Sequence, residues 1–133
     1  MNAANMVNAY KNQQIMTASP EELTLMLYNG AIRFTNESIM AMEQGDVPKS
    51  HAANLRAQDI VREFMATLDM KIDLSQNWLA LYDYIEYSLI QGNIKKDKTQ
   101  LENAKDVLTG MRDTWAEAMK LARQQRLQTA VGR

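Results

Sequence analysis

The placement of proline, glycine and helix-capping residues most restricts the fold, because it divides the chain into long stretches without a helix breaker. The run Ser-Pro-Glu-Glu at 19–22 is typical of a helix start. It offers a capping serine, a proline at the first helical position and a glutamate three residues after the cap. Gly45 is a matching end signal. These signals predict a first helix over residues 20–44.

The same signals predict three further helices. Asp46-Val47-Pro48 opens a second helix that runs to about residue 68, Gly92-Asn93 ends a third over 74–91, and Asp97 begins a fourth that continues to about residue 125. No segment alternates apolar and polar residues as a strand would. Short links favour antiparallel neighbours. We therefore predict an all-α protein, an antiparallel up-down four-helix bundle over 17–125, with a flexible N-terminal arm at 1–16 and a basic C-terminal tail at 126–133.

Composition narrows the class of protein. A chain of 133 residues is long enough for a single core without cross-links. It has no cysteine, which excludes disulfides and thiolate sites, and His51 is the only histidine, so we expect neither a metal nor a cofactor. The net charge of -1 argues against a nucleic-acid partner. With neither a long apolar run nor a leader segment, we expect no membrane span and a cytoplasmic location.

Catalytic patterns are missing from the sequence. It contains no glycine-rich phosphate loop, no Gly-x-Ser-x-Gly and no His-Glu-x-x-His. Glu21 and Glu22 are adjacent, so their carboxylates do not face each other, and in a first helical turn they offset the helix dipole. We predict that the protein is not an enzyme, which leaves binding as its activity.

Surplus apolar residues indicate where a partner would bind. On a helical wheel the first predicted helix has two nearly opposite apolar faces, which are Leu23, Leu27, Gly30, Phe34 and Ala41 on one side and Leu25, Tyr28, Ile32, Thr35, Ile39 and Met42 on the other. Such a helix is either the most buried one of its fold or is shared between the fold and a partner. In the second case an amphipathic partner helix would lie in apolar grooves. The candidate groove residues are Leu25, Ile32, Leu79, Tyr87, Ile90, Val107 and Leu121.

An ordered set of motifs resembles one family. The run YKNQQIMTASPEELTLMLYNGAIRF at 10–34 is followed by EQGD at 43–46, NWLALYDY at 77–84 and Trp115. Over about residues 7–120 the chain resembles the flagellin-specific export chaperones of the FliS family. One departure is Asn29, which stands where the family commonly has aspartate.

The resemblance implies a fold and an activity. Members of this family are antiparallel four-helix bundles that bind the C-terminal segment of new flagellin in the cytoplasm and prevent its premature polymerisation. The export gate protein FlhA then recognises chaperone and cargo. The family's arm, with its tyrosine, can lie over the apolar binding surface, and it takes part in cargo and gate interactions. On this chain the corresponding arm positions are Val7 and Tyr10.

Three other interpretations remain open. The apolar faces could pack against a second copy in a structural or adaptor homodimer without flagellin cargo. A small helical enzyme or ligand carrier would place convergent polar groups inside the bundle. A regulator could bind nucleic acid through the basic C-terminal end, which would make its binding depend on salt.

Overall fold

A computed structural model describes residues 3–131, apart from the side chain of Ala4. This range is helical and contains no strand, so the predicted all-α class is confirmed as a helical bundle. The number of helices differs from the prediction, because there are five rather than four. They are α1 (Ala3–Thr17), α2 (Pro20–Glu43), α3 (Val47–Thr67), α4 (Ser75–Lys95) and α5 (Lys98–Val131).

The additional helix, α1, covers most of the segment predicted to be a flexible arm. It has no regular apolar face, which is why the pattern did not predict a helix. It also has no glycine or proline, and its alanine, glutamine, methionine and lysine residues favour helix. Nearly all of its side chains are exposed to solvent. The arm is therefore helical but adds little to the core, and residues 1 and 2 of the predicted arm lie outside the described residues.

The predicted starts of α2 and α3 are confirmed by their caps. The Ser19 hydroxyl accepts a hydrogen bond from the Glu22 amide at 3.2 Å, and the Asp46 carboxylate accepts one from the Lys49 amide at 3.2 Å. Each cap satisfies one of the amides left without a partner in the first helical turn. Gly45 between them has φ +76°, a backbone conformation that glycine adopts without steric cost.

Two helices continue past their predicted ends. α4 passes through Gly92 to Lys95 and terminates at Lys96, which adopts the left-handed conformation with φ 52°. Gly92 is buried inside the helix, where Leu101 approaches its backbone closely. α5 extends to Val131, so residues 126–131 of the predicted tail are helical, and residues 132 and 133 lie outside the described range.

The helices α2 to α5 pack in a ring, in which α2 and α4 each contact both α3 and α5. Side-chain contacts give the direction of neighbouring helices. Along α2 and α5 the partners run in opposite order, namely Glu43 with Lys98, Asn36 with Lys105 and Glu21 with Trp115. The same opposite order relates α3 to α4, where Asn54 contacts Leu89 and Arg62 contacts Glu86. Neighbouring helices in these pairs are thus antiparallel.

A chain of hydrogen-bonded polar side chains runs along α3 and is joined to α4 through Asn54. The Asn54 amide donates to the Leu89 carbonyl at 3.1 Å, Gln58 donates to Asn54 at 2.6 Å, and Arg62 donates to Gln58 at 3.3 Å. Asn54 and Gln58 are buried. Buried polar groups cost free energy unless they are paired. These hydrogen bonds therefore favour the observed alignment of α3 and α4 over alignments that would leave the polar groups unpaired.

None of the helices within residues 3–131 is both long and apolar enough to cross a membrane.

Candidate docking surfaces

The structure separates the two apolar faces of α2. Tyr28, Thr35 and Ile39 are buried, and Ile32 packs against the core cluster that they help to form. The opposite face contains Leu27, which is 38% exposed although it is a large apolar residue. The face that includes Tyr28 is thus the core side. On the opposite face Ala41 is buried and Phe34 packs against the core cluster, while Leu27 stays partly exposed.

The exposed face of α2 forms one wall of a groove, which we call the α2–α3 groove. Its volume is about 380 Å³ and it is lined by Ile15, Leu23, Met26, Leu27, Gly30, Arg33, Phe34 and Ile60. Ile60 supplies the α3 wall. Gly30 has no side chain to fill the space beside it, where a Cβ would lie 3.4 Å from the Ile60 side chain. Ile15 reaches the groove from α1, while remaining 51% exposed. The arm thus covers only part of this apolar surface.

Positive charge borders one end of the groove. The Arg33 guanidinium lies 4.9 Å and the Arg56 guanidinium 5.6 Å from the centre of the Phe34 ring. At these separations a cation is attracted to the face of the ring. Arg33 is also paired with Glu37, whose carboxylate lies 3.9 Å from the guanidinium.

A second concave surface, the aromatic cleft, opens at the end of the bundle where α2 and α4 begin and α3 ends. Its volume is about 370 Å³ and it is lined by Thr24, Tyr28, Phe64, Thr67, Leu68, Asp69, Ile72, Leu74, Ser75, Trp78, Tyr82 and Trp115. Trp115 is held in place by its indole N–H, which donates to the Glu21 carbonyl at 3.0 Å. The cleft falls within the usual range for ligand pockets, about 300 to 1,000 Å³.

The floor of the cleft is a stack of three rings. Tyr28 and Phe64 have centroids 4.5 Å apart, and Phe64 and Tyr82 have centroids 5.4 Å apart. The two tyrosine hydroxyls are hydrogen-bonded to each other at 2.6 Å. Burial, followed by the hydrogen bond with Tyr82, raises the pKa of Tyr28, and burial also raises the pKa of Tyr82. Both phenols therefore stay neutral, and each hydroxyl has the other as a hydrogen-bond partner.

The sequence-predicted binding residues lie on several sides of the molecule. Val7 and Tyr10 are exposed on α1, Tyr87 on α4 and Leu121 on α5. Half-buried positions are Leu25, Ile32, Leu79, Ile90 and Val107, of which Ile32 and Val107 pack against the core cluster. None of these nine residues lines the α2–α3 groove or the aromatic cleft. The structure thus leaves four of them open to solvent and places two of them on the core.

Sequence reasoning missed the residues that form the two concave surfaces. Leu23, Leu27 and Phe34 form a stripe on the helical wheel, but the prediction places the partner on the opposite stripe, at Leu25 and Ile32. A usable signal was present, because Ala31, Thr35 and Ser38 are small and suit close helix packing on the core side. The aromatic cleft had no comparable signal, since it combines side chains from four helices and one loop.

Open apolar surfaces on a helical bundle with an exposed arm are typical of the class of protein-interaction modules. Comparison with known sequences agrees with this class. The model of the family described as FliS, flagellar protein FliS, matches residues 3–122. The chain belongs to the FliS family, which is a family of flagellar secretion chaperones that act in flagellum assembly and protein export.

Several relatives carry the same description, flagellar secretion chaperone FliS. The protein from Bacillus subtilis strain 168 is 38% identical over 122 residues, which cover 92% of this chain and 92% of the relative. The protein from Vibrio cholerae is 29% identical over 115 residues, covering 82% and 85% of the two chains. The protein from Salmonella typhimurium is 30% identical over 106 residues, covering 77% and 78%.

Proposed function

We propose that this protein is a cytoplasmic, non-enzymatic export chaperone whose cargo is the C-terminal segment of flagellin. The α2–α3 groove is the observation that carries the proposal, because it exposes apolar side chains on a chain that belongs to a secretion chaperone family. Cargo held there would be unable to polymerise early. The complex would then be delivered to the flagellar type III export apparatus through the gate protein FlhA.

The architecture supports a partner that wraps around the molecule. In this proposal α2 to α5 are the antiparallel up-down four-helix bundle of residues 17–125, residues 1–16 are its arm, and residues 126–133 are a basic tail. The predicted contact residues are distributed over α1, α2, α4 and α5, so one short straight helix would reach few of them. We retain these residues as proposed contacts: Val7, Tyr10, Leu25, Ile32, Leu79, Tyr87, Ile90, Val107 and Leu121.

The arm gives the proposal a regulatory element. Ile15 lines the α2–α3 groove, so cargo that fills the groove must displace it. A disordered segment that folds as it binds also loses conformational entropy, which limits affinity and keeps the cargo releasable. Displacing the arm adds to that cost. The arm then occupies part of the groove until cargo displaces it.

Calorimetric titration with a synthetic flagellin C-terminal segment tests the proposal. We expect Kd at or below the micromolar range for the unchanged chain. Leu27→Ser removes a partly exposed apolar side chain from the groove wall. It should weaken binding of the segment about fivefold, which corresponds to about 1 kcal/mol. Ile15→Ser removes the arm's contact and should strengthen binding. Leu55→Ser is the control, because Leu55 is similarly exposed but lies outside the groove.

The outcomes separate the proposal from its alternatives. Absence of micromolar binding by the unchanged chain would overturn it. Equal losses for Leu27→Ser and Leu55→Ser would show that the groove is not the cargo site.

A homodimer is the second candidate, because Leu121, Leu127 and Val131 are exposed along the last part of α5. Light scattering over a concentration series distinguishes the two candidates. A dimer that persists at saturating flagellin segment, with no segment bound, would favour the structural homodimer.

A further inference from the structure

We propose that the aromatic cleft is an anchor site for one large apolar side chain of a bound polypeptide, with a lysine or arginine of that polypeptide next to it. The inference extends the proposed function, on which it rests for the longer chain that carries this side chain. It concerns a surface distinct from the α2–α3 groove, because the two share no lining residue.

The shape and walls of the cleft select an apolar group. Behind it lie the buried rings of Tyr28, Phe64 and Tyr82, and the two tyrosine hydroxyls are hydrogen-bonded to each other. Its open sides are formed by Trp78 and Trp115, which are half-buried, and by the loop between α3 and α4. A leucine, methionine or phenylalanine side chain would remove from water the exposed parts of Trp78 and Trp115 and of the apolar loop residues beside them.

The loop beside the cleft extends the apolar surface toward solvent. Ile72 is 55% and Leu74 is 63% exposed, and both line the cleft. Large aliphatic side chains at the rim of an aromatic concavity are typical of a docking site, because they exclude water from the contact that the anchor makes. The loop is held by its own hydrogen bonds, in which the Ser75 hydroxyl and the Ile72 amide donate to the Asp69 carbonyl.

The negative charge at the rim of the cleft favours a basic residue next to the apolar anchor of the bound polypeptide. Asp69 is exposed and lines the cleft, and one of its carboxylate oxygens accepts a hydrogen bond from the Lys71 amide at 3.0 Å. The ion pairs formed within residues 3–131 do not include Asp69 or the Lys71 ammonium. The last turn of α3, immediately before Asp69, has no basic residue to complement the negative end of the helix dipole. A cation beside the anchor would complement this unpaired negative charge.

The two tryptophans make the test specific. They are the only two in the chain, and both line the cleft, so their indole N–H resonances report on binding at this surface. The probe is N-acetyl-leucyl-arginine amide, which carries the proposed anchor and the proposed cation without the rest of a cargo chain. We expect a saturable shift of both indole resonances at millimolar probe concentrations.

Two related probes and two variants divide the proposal into its parts. N-acetyl-alanyl-arginine amide should give no saturable shift, because it has no anchor. N-acetyl-leucyl-glutamine amide should bind about threefold more weakly than the arginine probe, because it has no cation. Asp69→Asn keeps the oxygen that accepts from the Lys71 amide and should bind both leucine probes equally. Asp73→Asn is the matched control in the same loop, since Asp73 does not line the cleft, and it should retain the preference for arginine.

Each outcome supports or overturns one statement. Absence of an indole shift with the leucyl-arginine probe overturns the anchor site, and an unchanged preference in Asp69→Asn overturns the role of the carboxylate. A flagellin segment that binds tightly without shifting either indole leaves the proposed function intact and overturns the cleft as an anchor for that cargo. A probe that binds while the flagellin segment does not leaves the cleft intact and overturns the proposed cargo.

Discussion

Replacing Gly92 with alanine is expected to destabilise the protein, although alanine is the better helix former. A Cβ at Gly92 would lie 2.6 Å from Leu101 Cδ2, 2.9 Å from Leu101 Cγ and 3.2 Å from the Asp97 carbonyl oxygen. Leu101 is fully buried, so its side chain cannot move aside into solvent. Overpacking costs about 1–3 kcal/mol, and the gain in helix propensity is at most about 1 kcal/mol. We therefore expect a net loss of about 1 kcal/mol.

Gly110 provides the matched control. It also lies inside a helix, but a Cβ there would have no atom within 4 Å. Gly110→Ala should thus gain up to about 1 kcal/mol from propensity alone. Urea unfolding followed by circular dichroism gives the free energy of unfolding of each variant, provided that the slope with denaturant is unchanged. The two substitutions should shift stability in opposite directions.

A double variant tests the cause of the effect. In a Leu101→Ala background the two contacts below 3 Å are gone and only the contact with the Asp97 carbonyl oxygen at 3.2 Å remains, so most of the Gly92→Ala penalty should disappear. Equal stability changes for Gly92→Ala and Gly110→Ala would refute the packing argument. So would a Gly92→Ala penalty that persists when Leu101 is absent.

Two further predictions concern the tyrosine pair and a helix cap. Burial raises the pKa of Tyr28 and of Tyr82. Above pH 10 the unfolded chain therefore releases protons that the folded chain keeps. The free energy of unfolding should then fall by up to about 1.4 kcal/mol per pH unit for each tyrosine. Tyr28→Phe/Tyr82→Phe should flatten that part of a stability curve measured between pH 9 and pH 11, and an equally steep curve would contradict this role for the pair. Ser19→Ala removes the acceptor of the Glu22 amide and should cost about 1 kcal/mol in urea unfolding, whereas Thr24→Ala, which loses only a local hydrogen bond to the Pro20 carbonyl, should cost less.

Local chemistry made much of the fold predictable. The caps at Ser19 and Asp46 and the turn at Gly45 depend on residues within a few positions of each other, so the sequence alone specifies them. Gly92 was interpreted as a helix end because glycine often ends helices, but Leu101 on the next helix requires the glycine for packing. That requirement involves a tertiary contact, and no local pattern reveals it. The arm was missed as a helix because the prediction relied on apolar periodicity, which α1 does not have.

The docking surfaces were less predictable than the fold. Periodicity correctly indicated that α2 has two apolar faces, but it does not say which one meets the core. Tyr28 decides the matter through its contacts with Phe64 and Tyr82, which are distant in sequence. The aromatic cleft depends in the same way on Trp115 reaching the N-terminal turn of α2. Such arrangements follow from the assembled bundle, and sequence spacing alone does not contain them.

The two concave surfaces differ in how much of the chain must be folded before they exist. Apart from Ile15, the α2–α3 groove is built from one hairpin, whose helices are joined at Gly45. The aromatic cleft needs α2, α3, α4 and α5 together, with Trp115 placed 94 residues beyond its partner Glu21. During synthesis the groove's own residues therefore leave the ribosome well before the cleft can close. In the folded protein, local opening of α5 would remove Trp115 from the cleft while leaving most of the groove's walls in place. Hydrogen exchange of backbone amides at the two surfaces should therefore report separate opening events.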